Sequence, residues 1–488
     1  MRPDLPVRPA PPPPLVTDVD LAYLSAGEMA RQIAAGELSP LEAVSNALAR
    51  IDDVDPQLNC FCVVTAEAAL EAARRAEAEV ARGAPLGPLH GVPIALKDTT
   101  PTAGILTTLG SHTHADWVPD HDAAVASALA RAGAILVGKT TTPEFAHTLV
   151  TDSPRWGTTR NPWDLGRTPG GSSGGSGAAV AAGCVPLAEG SDMGGSVRIP
   201  AAWSGVVGLK PGLGRIPMDV LPGLFDSISP HGPLARCVDD ARLFLAVTQG
   251  PDDVDIQSVT TPLDLAGPTP SSVEGLRLGL SVDLGCWAVE PGVEAAVRAA
   301  AGALEAVGAV VTEVDVALTP RDEAVWLELW AVFMAAYYGH LVPEHGEQMD
   351  PDVLGLIAMG ESMTAVQYKR LELERTSLWH RVAAVLADQD ALVCPTMATG
   401  PLPAAKADQP ARSQPPEDGR YHANDMTAVW NLVPACPALS VPCGLDDDGL
   451  PVGFQIVGHR WREDTVLRIG RALEASPAGA LPRPPALA

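Results

Sequence analysis

Gly170-Gly171-Ser172-Ser173-Gly174-Gly175-Ser176-Gly177, then an apolar run from Ala178 to Ala188, then Gly190-Ser191-Asp192-Met193-Gly194-Gly195-Ser196-Val197-Arg198-Ile199-Pro200: this stretch decides how the chain is read. Two Gly-Gly-Ser elements are separated by enough apolar residues for one buried helix and a turn. Glycines placed directly before a serine let the backbone approach a ligand and turn successive N–H groups inward. A helix starting after Ser196 adds its free N–H groups and positive end at the same place. Donors gathered in this way around a serine hydroxyl are how an oxyanion is held. A flexible linker shares the Gly/Ser composition, but a linker is not followed by an apolar run and a second glycine turn.

Around that stretch, the totals set limits. The 488 residues are 46% hydrophobic and carry a formal charge of −26, so a large core is available and no basic patch suggests nucleic acid or an anionic membrane as partner. Lysine occurs only at Lys97, Lys139, Lys210, Lys369 and Lys406, which singles out any lysine in an apolar context. The cysteines Cys60, Cys62, Cys184, Cys237, Cys286, Cys394, Cys436 and Cys443 form no Cys-x-x-Cys pair and no zinc spacing. They read as reduced, buried thiols. Residues 1–18 are proline-rich without an apolar core, so they read as an extended tail and not as a signal peptide. No run is expected to span a membrane, and a soluble, cytoplasmic protein is the expectation.

Along the chain, helices alternate with short apolar strands. Ser25-x-x-Glu28 and Ser39-Pro40-Leu41-Glu42 read as helix starts, the second with proline at the first helical position. Gly91 to Asp98 reads as a strand ending in Lys97. Either that lysine simply reaches solvent, or it is held at the carboxyl end of a buried strand, where open α/β sheets place their sites. Gly133-Ala134-Ile135-Leu136-Val137-Gly138-Lys139-Thr140 matches the phosphate-loop pattern. The match is rejected because Ala134 to Val137 is itself a strand, and cannot also be the loop cradling a phosphate. Strands at 276–282 and 310–316 bracket a helix at 291–307, which implies parallel pairing. Residues 320–390 are expected to be helical with an aromatic face of Trp326, Trp330, Phe333, Tyr337 and Tyr338. Further strands fall at 390–395, 439–442 and 453–458, and a last helix at 464–474. The whole predicts one α/β domain over 19–475, with a mixed, mostly parallel twisted sheet between helices, followed by a Pro/Ala-rich tail at 476–488.

Ser172 and Ser173 each sit in a Gly-x-Ser-x-Gly pattern, the elbow of α/β-hydrolases. That elbow needs a strand directly before the serine, whereas Asp164 to Pro169 are turn formers, and the only well-placed late histidine is His459. The combination left is Lys97, Ser172 and Ser196. Together with Gly138 to Phe145, Asn161-Pro162-Trp163, Gly205 to Pro211, Gly232 to Arg236 and Pro437 to Gly458, it resembles the amidase signature family across nearly the whole chain.

By that resemblance Ser196 is the nucleophile, Ser172 the bridging serine joined to Gly171 by a cis peptide, and Lys97 the base. The N–H groups of Met193, Gly194, Gly195 and Ser196 form the oxyanion hole, with Ser173, Asp192 and Arg198 as scaffold. The resemblance implies no cofactor and no metal. It implies a small-molecule amide or carbamate substrate, ester cleavage being open to the same machinery, and a homodimer is common in such enzymes. Candidate substrate contacts are Ala146, Phe225, Trp330, Trp430 and Asn431, on loops around 145–155, 218–230, 325–365 and 405–431. The same fold serves the amidase subunit of tRNA-dependent amidotransferases, which usually carries an Asp-Gln pair before the Gly-Pro after the signature. Here that place reads Ser229-Pro230-His231-Gly232-Pro233, which favours a stand-alone amidase.

Overall fold

Residues 17–409 and 420–487 are described by the structure, a computed structural model. The expected tail at 1–18 and the proline-rich loop at 401–420 thus lie partly outside the described residues. Among the described residues eleven strands form one sheet: β1 (Phe61–Val64), β2 (Pro93–Lys97), β3 (Ile135–Thr140), β4 (Leu187–Ser191), β5 (Val207–Lys210), β6 (His231–Ala235), β7 (Arg277–Leu280), β8 (Val310–Glu313), β9 (Ala391–Pro395), β10 (Ala438–Leu445) and β11 (Pro451–Gly458). Their order across the sheet is β1-β3-β2-β4-β6-β5-β10-β11-β9-β7-β8. The sheet is mixed. Parallel pairing forms two blocks, β3-β2-β4 and β9-β7-β8, and the other neighbouring pairs among the described residues are antiparallel. The second block includes the strand–helix–strand unit read from the sequence, with its helix at Pro291–Ala306.

Strands buried on both faces are apolar along most of their length, with fully buried polar exceptions such as Lys97, Lys139, Glu189 and His231. Successive residues of a strand point to opposite faces, so Ile94 and Leu96 join one core while Ala95 joins another. Likewise Ala391 and Val393 face one side, and Leu392 and Cys394 the other. Helices Ala26–Ala35, Ala124–Arg131, Val238–Thr248, Pro291–Ala306 and Glu463–Glu474 cover the first face. Helices Pro40–Leu58, Ala66–Ala81, Gly174–Ala181 and Ala365–Leu386 cover the second. Each fully buried aliphatic side chain contributes about 1.5–3 kcal/mol relative to exposure.

Helix starts follow the sequence signals. Ser25 Oγ accepts from the Glu28 N–H, and Ser39 Oγ accepts from Leu41 and Glu42 ahead of Pro40. Lys139 lies inside β3, fully buried, which removes the phosphate-loop reading. Contrary to expectation, one helical stretch, Pro320–Gln348, is long and apolar enough by length and composition to cross a membrane. In this fold its helix Pro320–Tyr338 leans on helix Pro351–Glu361 and on the loop before Ser196. The described residues of the 476–488 tail touch the body: Leu481 reaches Gly205, and Arg483 pairs with Asp20.

Candidate active site

β2 and β4 run parallel as neighbours, so Lys97 and Ser191, their last residues, emerge at the same edge of the sheet. Lys97 is fully buried, and its ammonium nitrogen has two hydroxyl partners, Ser172 Oγ at 2.6 Å and Ser191 Oγ at 3.1 Å. Burial pushes Lys97 down to about 7, against the opposing pull of Glu189 and Asp192. An amine in that range is neutral for much of the time near pH 7 and can accept a proton.

Ser172 reaches Lys97 from the Gly170 loop, and the Gly171–Ser172 peptide is cis, as the family resemblance implies. The next residue joins the two serine loops: the Ser173 N–H donates to the Ser196 carbonyl at 3.1 Å. Ser172 is fully buried whereas Ser196 is partly exposed. The buried amine is thus bonded to a buried hydroxyl, and the adjoining loop carries the more accessible hydroxyl of Ser196.

The loop carrying Ser196 is held by a buried polar network. Arg198 grips Asp192 with Nη2 on Oδ1 at 2.8 Å and Nε on Oδ2 at 3.0 Å, both side chains being fully buried. Burial raises the Asp192 carboxyl, but Arg198 outweighs it and holds the group at about 2. Asp192 Oδ1 also accepts the Gly195 N–H at 2.8 Å. Gly195 is therefore not among the free donors of the expected oxyanion hole: its N–H caps the carboxylate, leaving Met193, Gly194 and Ser196 as candidates.

The two glycines before Ser196 have steric reasons to be glycine. A Cβ on Gly194 would lie 2.3 Å from Trp326 Cζ2, and one on Gly195, at φ +125, 2.0 Å from Thr427 Oγ1. These neighbours hold the loop before Ser196, and the sequence did not disclose them. Trp326 donates to the Met193 carbonyl at 2.8 Å, and Thr427 Oγ1 to the Gly194 carbonyl at 2.6 Å. Nothing in the local sequence ties Thr427 to Gly194 across such a separation. Glu189 was equally silent, although a lone carboxylate inside the apolar run Leu187-Ala188 is a readable signal. It is fully buried and accepts the Lys97 N–H at 3.0 Å and the Thr100 hydroxyl at 2.9 Å.

The expected substrate contacts divide. Trp330 packs beside Met193 and Phe145 in one apolar cluster, and Ala146 follows Phe145 at φ +58 beside that cluster. Phe225 does not line a pocket: it is 81% exposed. Trp430 is fully buried core, its Nε1 spent on the Met426 carbonyl. Asn431 is scaffold, donating to the Asp192 carbonyl and accepting from Arg198 Nη2 at 2.6 Å. His459 is exposed, with its Nε2 at the Gln389 carbonyl, so the elbow-and-histidine alternative has no base. His147, Asp350 and Asp352 bring ligand atoms within 4.8 Å of one another, but Lys406 Nζ sits 2.7 Å from both carboxylates and already fills the cation's place.

A lysine of lowered basicity thus stands at a sheet edge against the hydroxyls of Ser172 and Ser191, with the Ser196 loop tied to the Ser172 loop. The sequence model of the amidase family matches residues 42–467, and the chain belongs to that family. It is similar to an acylamidase of Rhodococcus erythropolis, 37% identical over 94% of this chain and 97% of the relative. It is as similar to a glutamyl-tRNA(Gln) amidotransferase subunit of Chloroflexus aggregans, 37% identical over 93% and 96%. Among solved structures it resembles a bacterial aryl acylamidase of the amidase signature family, with a TM-score of 0.88 and 30% identity over 93% and 96%. The chain is an amidase-family hydrolase of amide C–N bonds.

Proposed function

We propose that this chain is a stand-alone amidase that cleaves a small-molecule amide through an acyl-enzyme on Ser196, with an apolar or aryl group seated against the cluster of Phe145, Met193, Trp326 and Trp330. The observation that carries the reading is the 2.6 Å contact between the buried Lys97 amine and Ser172 Oγ. In the neutral form Lys97 takes the Ser172 proton while Ser172 takes that of Ser196. Ser196 Oγ bonds to the carbonyl carbon, and the Met193, Gly194 and Ser196 N–H groups receive the charge developing on its oxygen. The proton returns through Ser172 to the amine as the C–N bond breaks. Water then enters by the same route, the Ser196–acyl bond is cleaved, and acid is released. The similarity to an acylamidase and to an aryl acylamidase structure supports an apolar acyl or aryl-amine group.

A panel of p-nitroanilide, primary amide, carbamate and ester substrates tests the reading beside Ser196→Ala. Wild type is expected to turn over the anilide, and the variant to lose about 10⁴-fold or more. Retention of wild-type turnover by the variant on every substrate sinks the nucleophile assignment. A second reading, the amidase subunit of a tRNA-dependent amidotransferase, is favoured by the equal similarity to the Chloroflexus protein. It is distinguished by whether the purified chain alone hydrolyses the anilide.

A further inference from the structure

Lys97 is surrounded by more charge than the relay uses. Two carboxylates face it, Asp192 and Glu189. Asp192 is closed off by the two-pronged grip of Arg198. Glu189 instead faces His231, whose Nδ1 lies 2.9 Å from Oε1, both side chains being fully buried. Among the described residues His231 Nε2 has no hydrogen-bond partner. Lys139 also faces Glu189, but its ammonium is committed to the Thr100 carbonyl and to the Thr102 and Thr107 hydroxyls, with Asp98 as its nearest carboxylate influence.

We propose that Glu189 and His231 are positioning residues for Lys97: Glu189 ties down its backbone, and its carboxylate, partnered by the His231 imidazole, sets the pH at which Lys97 becomes the free amine. The inference rests on Lys97 being the base proposed above. A carboxylate this deep must be balanced: the imidazole of His231 is bonded to it, and the amine of Lys97 feels its charge. The His231 imidazole bonds the Glu189 carboxylate at the oxygen not taken by the Lys97 N–H and leaves less of its field to hold a proton on Lys97. Without that partner, the carboxylate holds the Lys97 proton to higher pH.

Glu189→Gln removes the charge, keeps the acceptor for the Lys97 N–H, and is expected to move the acid limb of the kcat/KM profile down by about one pH unit. His231→Gln leaves the carboxylate unbalanced and moves the limb up by about one unit, with activity recovered at alkaline pH. Opposite displacements on the anilide substrate support the pair. Unmoved limbs with a uniform loss of rate overturn it, since a merely structural role lowers rate at every pH. If Glu189→Gln does not fold, the His231→Gln profile alone decides: an upward limb supports the pair and an unmoved one overturns it. Lys97→Ala separates the two readings. Should that variant keep its activity, the base assignment fails with everything built on it; should it be inactive while both limbs stay put, only the pair fails.

Discussion

Lys97 and Lys139 end adjacent parallel strands one residue out of step, and both are wholly buried. Burial lowers the basicity of each, so depth alone does not make a base. Their partners differ. Lys139 donates to the Thr100 carbonyl, which has no proton to give back, and to Thr102 and Thr107. Those two hydroxyls already donate to the carbonyls of Thr100 and Ile105. Lys97 meets Ser172 and Ser191, hydroxyls that can reverse and donate once the amine is neutral. A buried lysine becomes a proton acceptor when its neighbours can hand it a proton, and a structural peg when they cannot.

The comparison breaks most visibly if the two are exchanged in importance. Lys97→Ala is expected to lower kcat/KM by about 10³- to 10⁴-fold while the protein stays folded. Lys139→Met is expected to keep kcat/KM within about fivefold and to cost about 1–3 kcal/mol of stability, because it removes one donor from the Thr100 carbonyl and the ammonium donor from the Thr102 and Thr107 hydroxyls. Steady-state kinetics beside thermal unfolding of the two variants checks both halves. Equal kinetic losses would erase the distinction.

The pH profile sharpens it. Lys97 at about 7 is protonated below that pH and inactive as a base, so kcat/KM should fall tenfold per unit below pH 7 and level off above it. Stability moves in the same direction. The unfolded chain, with lysine at its ordinary 10.5, binds more protons than the folded one between about 7 and 10.5, so this group's contribution to stability rises across that window. A limb unchanged from pH 5 to 10 with chemistry rate-limiting counts against Lys97.

The glycine-serine stretch announced its site because its glycines and serines stand together in one segment, although the neighbours that force Gly194 and Gly195, Trp326 and Thr427, lie far along the chain. Strand β2 ends at Lys97 because an apolar run ends there. The fold was legible for the same reason: period, caps and turn residues are written within each element, and helices such as Pro291–Ala306 appear within a residue of expectation. Contacts made across the fold were not legible. Thr427, Glu189 and Trp326 reach the site from separate elements, and only tertiary packing brings them there. Asn431 and Trp430 failed as substrate contacts because polarity and aromaticity say nothing of direction: one turned to Asp192 and the other into the core.

Thr427→Val tests how firmly the Ser196 loop must be pinned. The variant keeps the branched shape beside Gly195 and removes the hydroxyl that donates to the Gly194 carbonyl. Losing that bond costs about 1 kcal/mol, and about a tenfold drop in kcat with KM little changed is expected if the loop must be held for the transition state alone. A matching rise in KM would instead assign Thr427 to ground-state binding.

The smallest effect is expected at Phe225. Its ring stands 81% exposed while Trp330, on the Met193 side, is 4% exposed, so one aromatic candidate touches solvent and the other the wall of the site. Phe225→Ala removes almost no buried area and is expected to leave stability within about 0.5 kcal/mol and kcat/KM on the anilide within about twofold. Trp330→Ala, which empties a packed position, should cost about 3–5 kcal/mol. A large KM increase in Phe225→Ala would mean that the 218–230 loop folds over bound substrate, and that exposure in the free enzyme is a poor guide to which aromatic rings the substrate meets.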